Sequence, residues 1–175
     1  MPVGRGFDIP QDVRDQVDFH WFHVGQTGSL MLACLSPEPI WYVGHFAGGR
    51  MVRCGGDGCK WCAEGFGKQL RYVVCCVELG SRTVGVLEVG KPVALALRDR
   101  ALREGTCRGL VFELARAAKS KHARVEATFL NEMPPTWVAG LAPLDLVEVL
   151  DKTWSRQESA MRHGKGVGDR VRSQS

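Results

Sequence analysis

Apolar residues along the chain fall into two kinds of stretch. Short runs rich in aromatic and β-branched residues, bounded by Gly, Pro and Ser, predict strands. These are Phe19–Val24, Ser29–Leu35, Ile40–Phe46, Lys68–Leu79, Thr83–Val89, Cys107–Arg116 and Ala123–Leu130. Gly80-Ser81-Arg82 between Leu79 and Thr83 predicts a hairpin. Two stretches keep a helical period instead. After Pro92, the run to Gly105 places Val93, Leu97 and Ala101 on one face, and the glycine stops it. Pro143–Trp154 places Leu146, Val147, Leu150 and Trp154 on one face, expected to pack on the chain's own sheet, with docking on a partner protein, as in an interaction adaptor, the alternative. Residues 1–18 read as a polar lead-in with a short helix near Asp12–Val17. From Ser155 apolar residues nearly vanish, which predicts a basic, disordered tail over 155–175. The folded domain is then expected over 19–154.

Between Ile40–Phe46 and Lys68–Leu79 lies "CGGDGCKWC", Cys54–Cys62. Strand, cysteine loop, strand, strand, helix, strand, strand is the order of a mainly β, OB-type five-stranded Greek-key barrel. The loop then falls between strands 1 and 2, and the second helix follows the barrel. A mixed α+β sheet of another topology is the alternative.

Composition changes this picture little. The chain has 175 residues, 45% hydrophobic and 24% charged, enough for one domain with a real core. A net charge of +4 permits an anionic partner without demanding one. No apolar run reaches the roughly 18 residues of a membrane span, and residues 1–18 lack the apolar core of a secretory signal. The expectation is a cytoplasmic protein with reduced thiols and no membrane partner. Seven cysteines, an odd number with three of them clustered, then point to metal rather than disulfides.

Zn²⁺ takes four ligands in a tetrahedron and favours thiolate and imidazole. Cys59 and Cys62 form a C-x2-C pair, Cys54 adds a third thiolate, and Gly55, Gly56 and Gly58 let the loop fold tightly. His45, at the end of the preceding strand, is the nearest fourth ligand, with His20 and His23 as rivals. Such a filled shell predicts one structural Zn²⁺ per chain. The competing reading is a redox C-x-x-C, which should open a helix in a βαβ unit. Cys34 and Cys107 read as small buried residues, and of the neighbours Cys75 and Cys76 one is expected in the core. His122 and His163 lie in basic or polar stretches and are expected to be solvated.

The same region interleaves cations and aromatics, as single-strand binders do. Candidate contacts are Trp41, Tyr42, Arg50, Arg53, Lys60, Trp61, Lys68, Arg71 and Tyr72, with Arg116, Lys119, Lys121 and Arg124 on a basic hairpin. Trp41 and Tyr42 must point to opposite faces, so one of them is expected to be accessible. No H-E-x-x-H, H-x-E with P-C-x-x-C, or G-x-x-x-x-G-K-[ST] pattern occurs, so no enzyme is expected.

Trp41–Gly65 resembles the zinc-bearing segment of phage T4-type single-stranded-DNA-binding proteins. It is similar also to related small bacterial and mobile-element proteins with an H-[FW]-x-x-G-R-x-V-x-C pattern followed by C-x-W-C. Gly109–Leu130 resembles the strand pair that follows in that group. The resemblance implies an OB-fold carrying a Cys3His zinc knuckle. It also implies sequence-independent binding of single-stranded DNA in replication, recombination or element transfer. RNA, and replication or recombination proteins, are the further partners considered. Two features depart from the group: the ligand spacings are shorter, and the tail is basic (Arg156, Arg162, Lys165, Arg170, Arg172) where the group's is acidic.

Overall fold

The computed structural model describes residues 19–25, 27–119 and 123–162. The Asp12–Val17 helix, Lys121, His122 and the segment 163–175 therefore lie outside the described residues. In chain order the elements are β1 (Trp21–Phe22), β2 (Ser29–Cys34), β3 (Ile40–Ala47), β4 (Arg50–Arg53), the single turn α1 (Lys60–Ala63), β5 (Lys68–Glu78), β6 (Val84–Val89), α2 (Lys91–Glu104), β7 (Val111–Arg116), β8 (Val125–Leu130), a 3₁₀ turn (Thr136–Gly140) and α3 (Leu146–Arg162).

β5 is the spine of the sheet. One edge pairs with β6 over Tyr72–Val77. The other edge is shared end to end, with β3 along Lys68–Val73 and β2 along Cys76–Glu78. The path runs β1-β6-β5-β2-β7-β8, with β4 beside β3. Only β1 joins its neighbour in parallel among the described strands. The fold is mixed α+β, dominated by an open, mostly antiparallel sheet.

This replaces the expected closed barrel of five strands. β1 and β8 end the path and do not pair. Two causes are visible. The Ser29–Leu35 run, left outside the expected barrel, enters the sheet as β2 and separates β5 from β7. A barrel also needs only one apolar face, whereas here both are covered. Leu32, Cys34, Val74, Cys76, Leu87 and Phe112 pack on one face with Val93, Ala94 and Leu97 of α2. Ala33, Leu35, Val73, Cys75, Val77 and Val86 pack on the other with Leu146, Val149 and Leu150 of α3. Cys75 and Cys76 accordingly face opposite ways, yet both are fully buried, where only one was expected in the core.

The helices keep their local signals. Gly90 is the N-cap of α2 and Pro92 sits in its first turn. Its C-cap Gly105 takes the left-handed conformation and donates to the Ala101 carbonyl at 2.7 Å. α3 starts where Asp145 Oδ1 accepts from the Val147 and Glu148 N–H groups at 3.0 and 3.1 Å. It continues past Trp154 to Arg162, so 155–162 is helical and not the expected disordered tail. Arg, Gln, Glu, Ala and Met in that segment are good helix formers, and only Ala160 and Met161 among 155–162 are apolar. Its inner face is also shifted by one residue: Val149 is buried, and Val147 is 59% exposed. Of the Phe19–Val24 run only two residues form a strand. No described helix is long and apolar enough to cross a membrane.

Candidate metal centre

β3 and β4 fold back at Gly48–Gly49 with His45 opposite Val52 and Gly44 opposite Arg53. The Cys54 N–H extends this ladder to the Val43 carbonyl at 2.9 Å. His45 also sits opposite Lys68, the first residue of β5. β4 and β5 thus flank its backbone on both sides, and the residue is fully buried. Beyond Cys54 the loop turns through Gly56 and Gly58 at φ 75° and 78°, a region that suits glycine. That turn delivers Cys59 as the N-cap of α1 and Cys62 inside it.

The side-chain ligand atoms of His45, Cys54, Cys59 and Cys62 lie within 4.8 Å of one another. His45 Nε2 is 3.6 Å from Cys59 Sγ and 3.5 Å from Cys62 Sγ, and Cys54 Sγ is 3.7 Å from Cys62 Sγ. A tetrahedron with metal–sulfur bonds of about 2.3 Å and a metal–nitrogen bond of about 2.0 Å sets sulfurs about 3.8 Å apart and nitrogen about 3.5 Å from sulfur. These three distances fit a tetrahedral shell, and the four side chains form a possible metal site. His45 Nδ1 lies 3.0 Å from the Phe66 carbonyl and 3.2 Å from that of Gly67. Between these two acceptors Nδ1 is the protonated nitrogen, which leaves the Nε2 lone pair turned toward the space among the sulfurs, where a metal would accept it. His20 instead packs on Phe22, and neither it nor His23 joins the cluster. C-x-x-C opens only the four-residue α1 after an antiparallel hairpin, not the helix of a βαβ unit.

The local electrostatics favour proton loss at Cys59 and Cys54 and oppose it at Cys62 and His45. The Cys62 backbone N–H, then that of Gly55, pulls the Cys59 thiol down to about 6. The Gly56 N–H and then His45 lower Cys54. Burial raises Cys62. His45 is raised, first by the Cys54 side chain.

The sequence-predicted contact residues divide. Trp41 is 67% exposed on β3, while its neighbour Tyr42 is buried, edge-on to Trp154 at 5.2 Å between ring centres. The Tyr42 hydroxyl donates to Glu88, and Arg71 Nε donates to the same carboxylate at 2.8 Å. Tyr72 packs partly buried against the α2-side core. Tyr42, Arg71 and Tyr72 are therefore tied into the fold, while Tyr42 and Arg71 still line surface clefts. Arg116 is likewise structural, donating to the Gly25 and Ala123 carbonyls at 3.1 and 2.9 Å. Arg50, Lys68, Lys119 and Arg124 are exposed, and Arg124 pairs with Glu126.

Trp41, Arg53, Lys60 and Trp61 come together on one side. A groove of about 370 Å³ between β3 and α3 is lined by Trp41, Arg53, Asp151 and Trp154. A second cleft, about 190 Å³, runs between the cysteine loop and α3 past Arg53, Lys60, Trp61 and Trp154. Arg53 and Trp154 belong to both, with the guanidinium 4.6 Å over the indole. The Lys60 ammonium lies 4.3 Å over the Trp61 ring, which meets Phe66 edge-on. The sequence pattern put Trp154 on a helix face for packing or for a partner protein; it lies 101 residues beyond Arg53, and no local pattern joins them. Neither protein-family models, nor curated proteins, nor solved structures match the chain.

Proposed function

We propose that the protein is a non-enzymatic, sequence-tolerant single-stranded-DNA-binding protein acting in the cytoplasm, with a structural Zn²⁺ in the His45–Cys54–Cys59–Cys62 site. The observation that carries this reading is the continuous surface Trp41–Arg53–Trp154–Trp61–Lys60 beside the metal site. Indole faces stack on bases whatever their sequence, and the cations between them meet phosphates. Three thiolates and one imidazole in a tetrahedral shell favour Zn²⁺ over harder cations. A closed shell leaves no position for substrate, so the ion shapes the loop that presents Lys60 and Trp61.

Titration of the metal-loaded protein with oligo-dT, oligo-U and a matched duplex, followed by Trp fluorescence, tests the reading. Oligo-dT is expected to quench strongly, the duplex little, and the affinity to fall steeply with salt as counterions are released. A tighter response to oligo-U would reassign the surface to RNA. Silence with all three at low salt would remove nucleic acid from the proposal.

A further inference from the structure

Arg71, Arg116 and Arg124, set apart from the knuckle surface, meet again around a separate cavity. It holds about 300 Å³ and opens where β5, β6 and the β7–β8 hairpin reach the start of α2. That is the small end of the range for ligand pockets. Phe22, Leu87, Val93 and Val125 give it apolar walls, and His23 and Glu88 complete the polar lining beside the three arginines.

The cations are held in place. Glu88 takes the Arg71 Nε–H on one oxygen and the Tyr42 hydroxyl on the other. Gly90 leaves room for this guanidinium, since a Cβ there would lie 3.2 Å from Arg71 Nη1. Arg116 is fixed across the neck of the hairpin by the Gly25 and Ala123 carbonyls. Arg124, paired with Glu126, forms the outer rim. Groups already fixed bind an anion with little ordering cost.

We propose that this cavity binds a phosphomonoester carried on a flat apolar body, as in a mononucleotide or the 5′-phosphate end of a strand. A phosphomonoester brings close to two negative charges and three acceptor oxygens, which several guanidinium groups can share. A carboxylate brings one charge and two oxygens. The apolar walls suit the base. A third cavity, of about 400 Å³, shares His23 and Arg71 with this one and Trp154 with the knuckle surface, so a strand end has a path to it. The free nucleotide needs no such path, and the inference therefore does not rest on single-strand binding.

Calorimetric titration of the metal-loaded full chain with thymidine 5′-monophosphate, thymidine, inorganic phosphate and benzoate tests the inference. The monophosphate is expected to bind, inorganic phosphate more weakly, and thymidine and benzoate not measurably. Gly90→Ala, whose backbone has an ordinary negative φ, crowds Arg71 and is expected to weaken the monophosphate about tenfold with an unchanged circular dichroism spectrum. Arg124→Gln should weaken it severalfold. Tighter binding of 5′-phosphorylated than of unphosphorylated oligo-dT assigns the site to strand ends, and equal binding assigns it to the free nucleotide. Monophosphate binding with no response to any oligonucleotide would sink the single-strand reading and leave this one standing. Thymidine or benzoate binding as tightly as the monophosphate, or no monophosphate binding at millimolar concentration, overturns the inference.

Discussion

Trp41 and Tyr42 are adjacent in sequence and opposite in fate, one 67% exposed and the other 7%. Alternation along β3 required that they part, but it did not say which would turn inward. Both faces of neighbouring β5 carry apolar residues, so local pattern gave neither face preference. What decides is the Glu88 carboxylate, placed where the Tyr42 hydroxyl and Arg71 both reach it. The pair predicts two separable phenotypes. Trp41→Ala should leave the urea midpoint nearly unchanged and weaken oligo-dT binding by about 1–3 kcal/mol, the usual value of one stacked base. Tyr42→Phe should do the reverse. It removes a hydrogen bond to a charged acceptor, costs about 1–2 kcal/mol in a urea melt, and leaves the oligo-dT affinity alone. If Tyr42→Phe weakened binding without lowering stability, the assignment of the two faces would be wrong.

At the scale of elements, local features were legible and long-range ones were not. The cysteine loop could be read because its ligands are close in sequence and their spacing is itself the geometry. His45 was separable from His20 and His23 by its distance to Cys54 along the hairpin. α2 was legible for the same reason, with its glycine and proline signals at both ends. The sheet order was not, because Ser29–Cys34 looks like any apolar strand and its place between β5 and β7 depends on residues 42 and more positions away. The metal loop also has its own pH dependence. Ligation needs thiolates and a neutral Nε2, so protons compete with the metal. The Cys59 pKa of about 6 means its thiolate persists at neutral pH and is lost as pH falls through that value. The raised His45 acts in the same direction, since its ring protonates sooner on the way down. Zinc should be retained at pH 7.5 and released as the pH drops from about 6 toward 5, read with a colorimetric chelator. Release that began instead on raising the pH from 7 would contradict this ligand set.

On the scale of the whole molecule, the metal site hangs from one end of a sheet that is secured elsewhere. The two cores meet on β5 from Val73 to Val77, where every residue is fully buried. The hairpin from His45 to Arg53 and α1 lie beyond them, while Tyr42 at the base of β3 sits in the α3-side core. Ties from this outer part to α3 include the Arg53–Trp154 contact, the 4.0 Å Arg53–Asp151 pair and a 3.5 Å bond from Gln157 Nε2 to the Met51 carbonyl. The exposed Arg53–Asp151 pair contributes little. The knuckle is thus a unit that can open without the rest. Removing the metal with a chelator should strip hydrogen-exchange protection from residues 45–67 while β5, β6 and β7 stay protected. Oligo-dT binding should fall at the same time, because Lys60, Trp61 and Arg53 are placed by the loop and its hairpin. Binding of thymidine 5′-monophosphate should survive, because Arg71, Arg116 and Arg124 are anchored to the sheet and to loop carbonyls away from the knuckle. Loss of protection in β5 and β7 on chelation would show instead that the metal supports the entire sheet. The two cores would then be too weak to hold α2 and α3 without it.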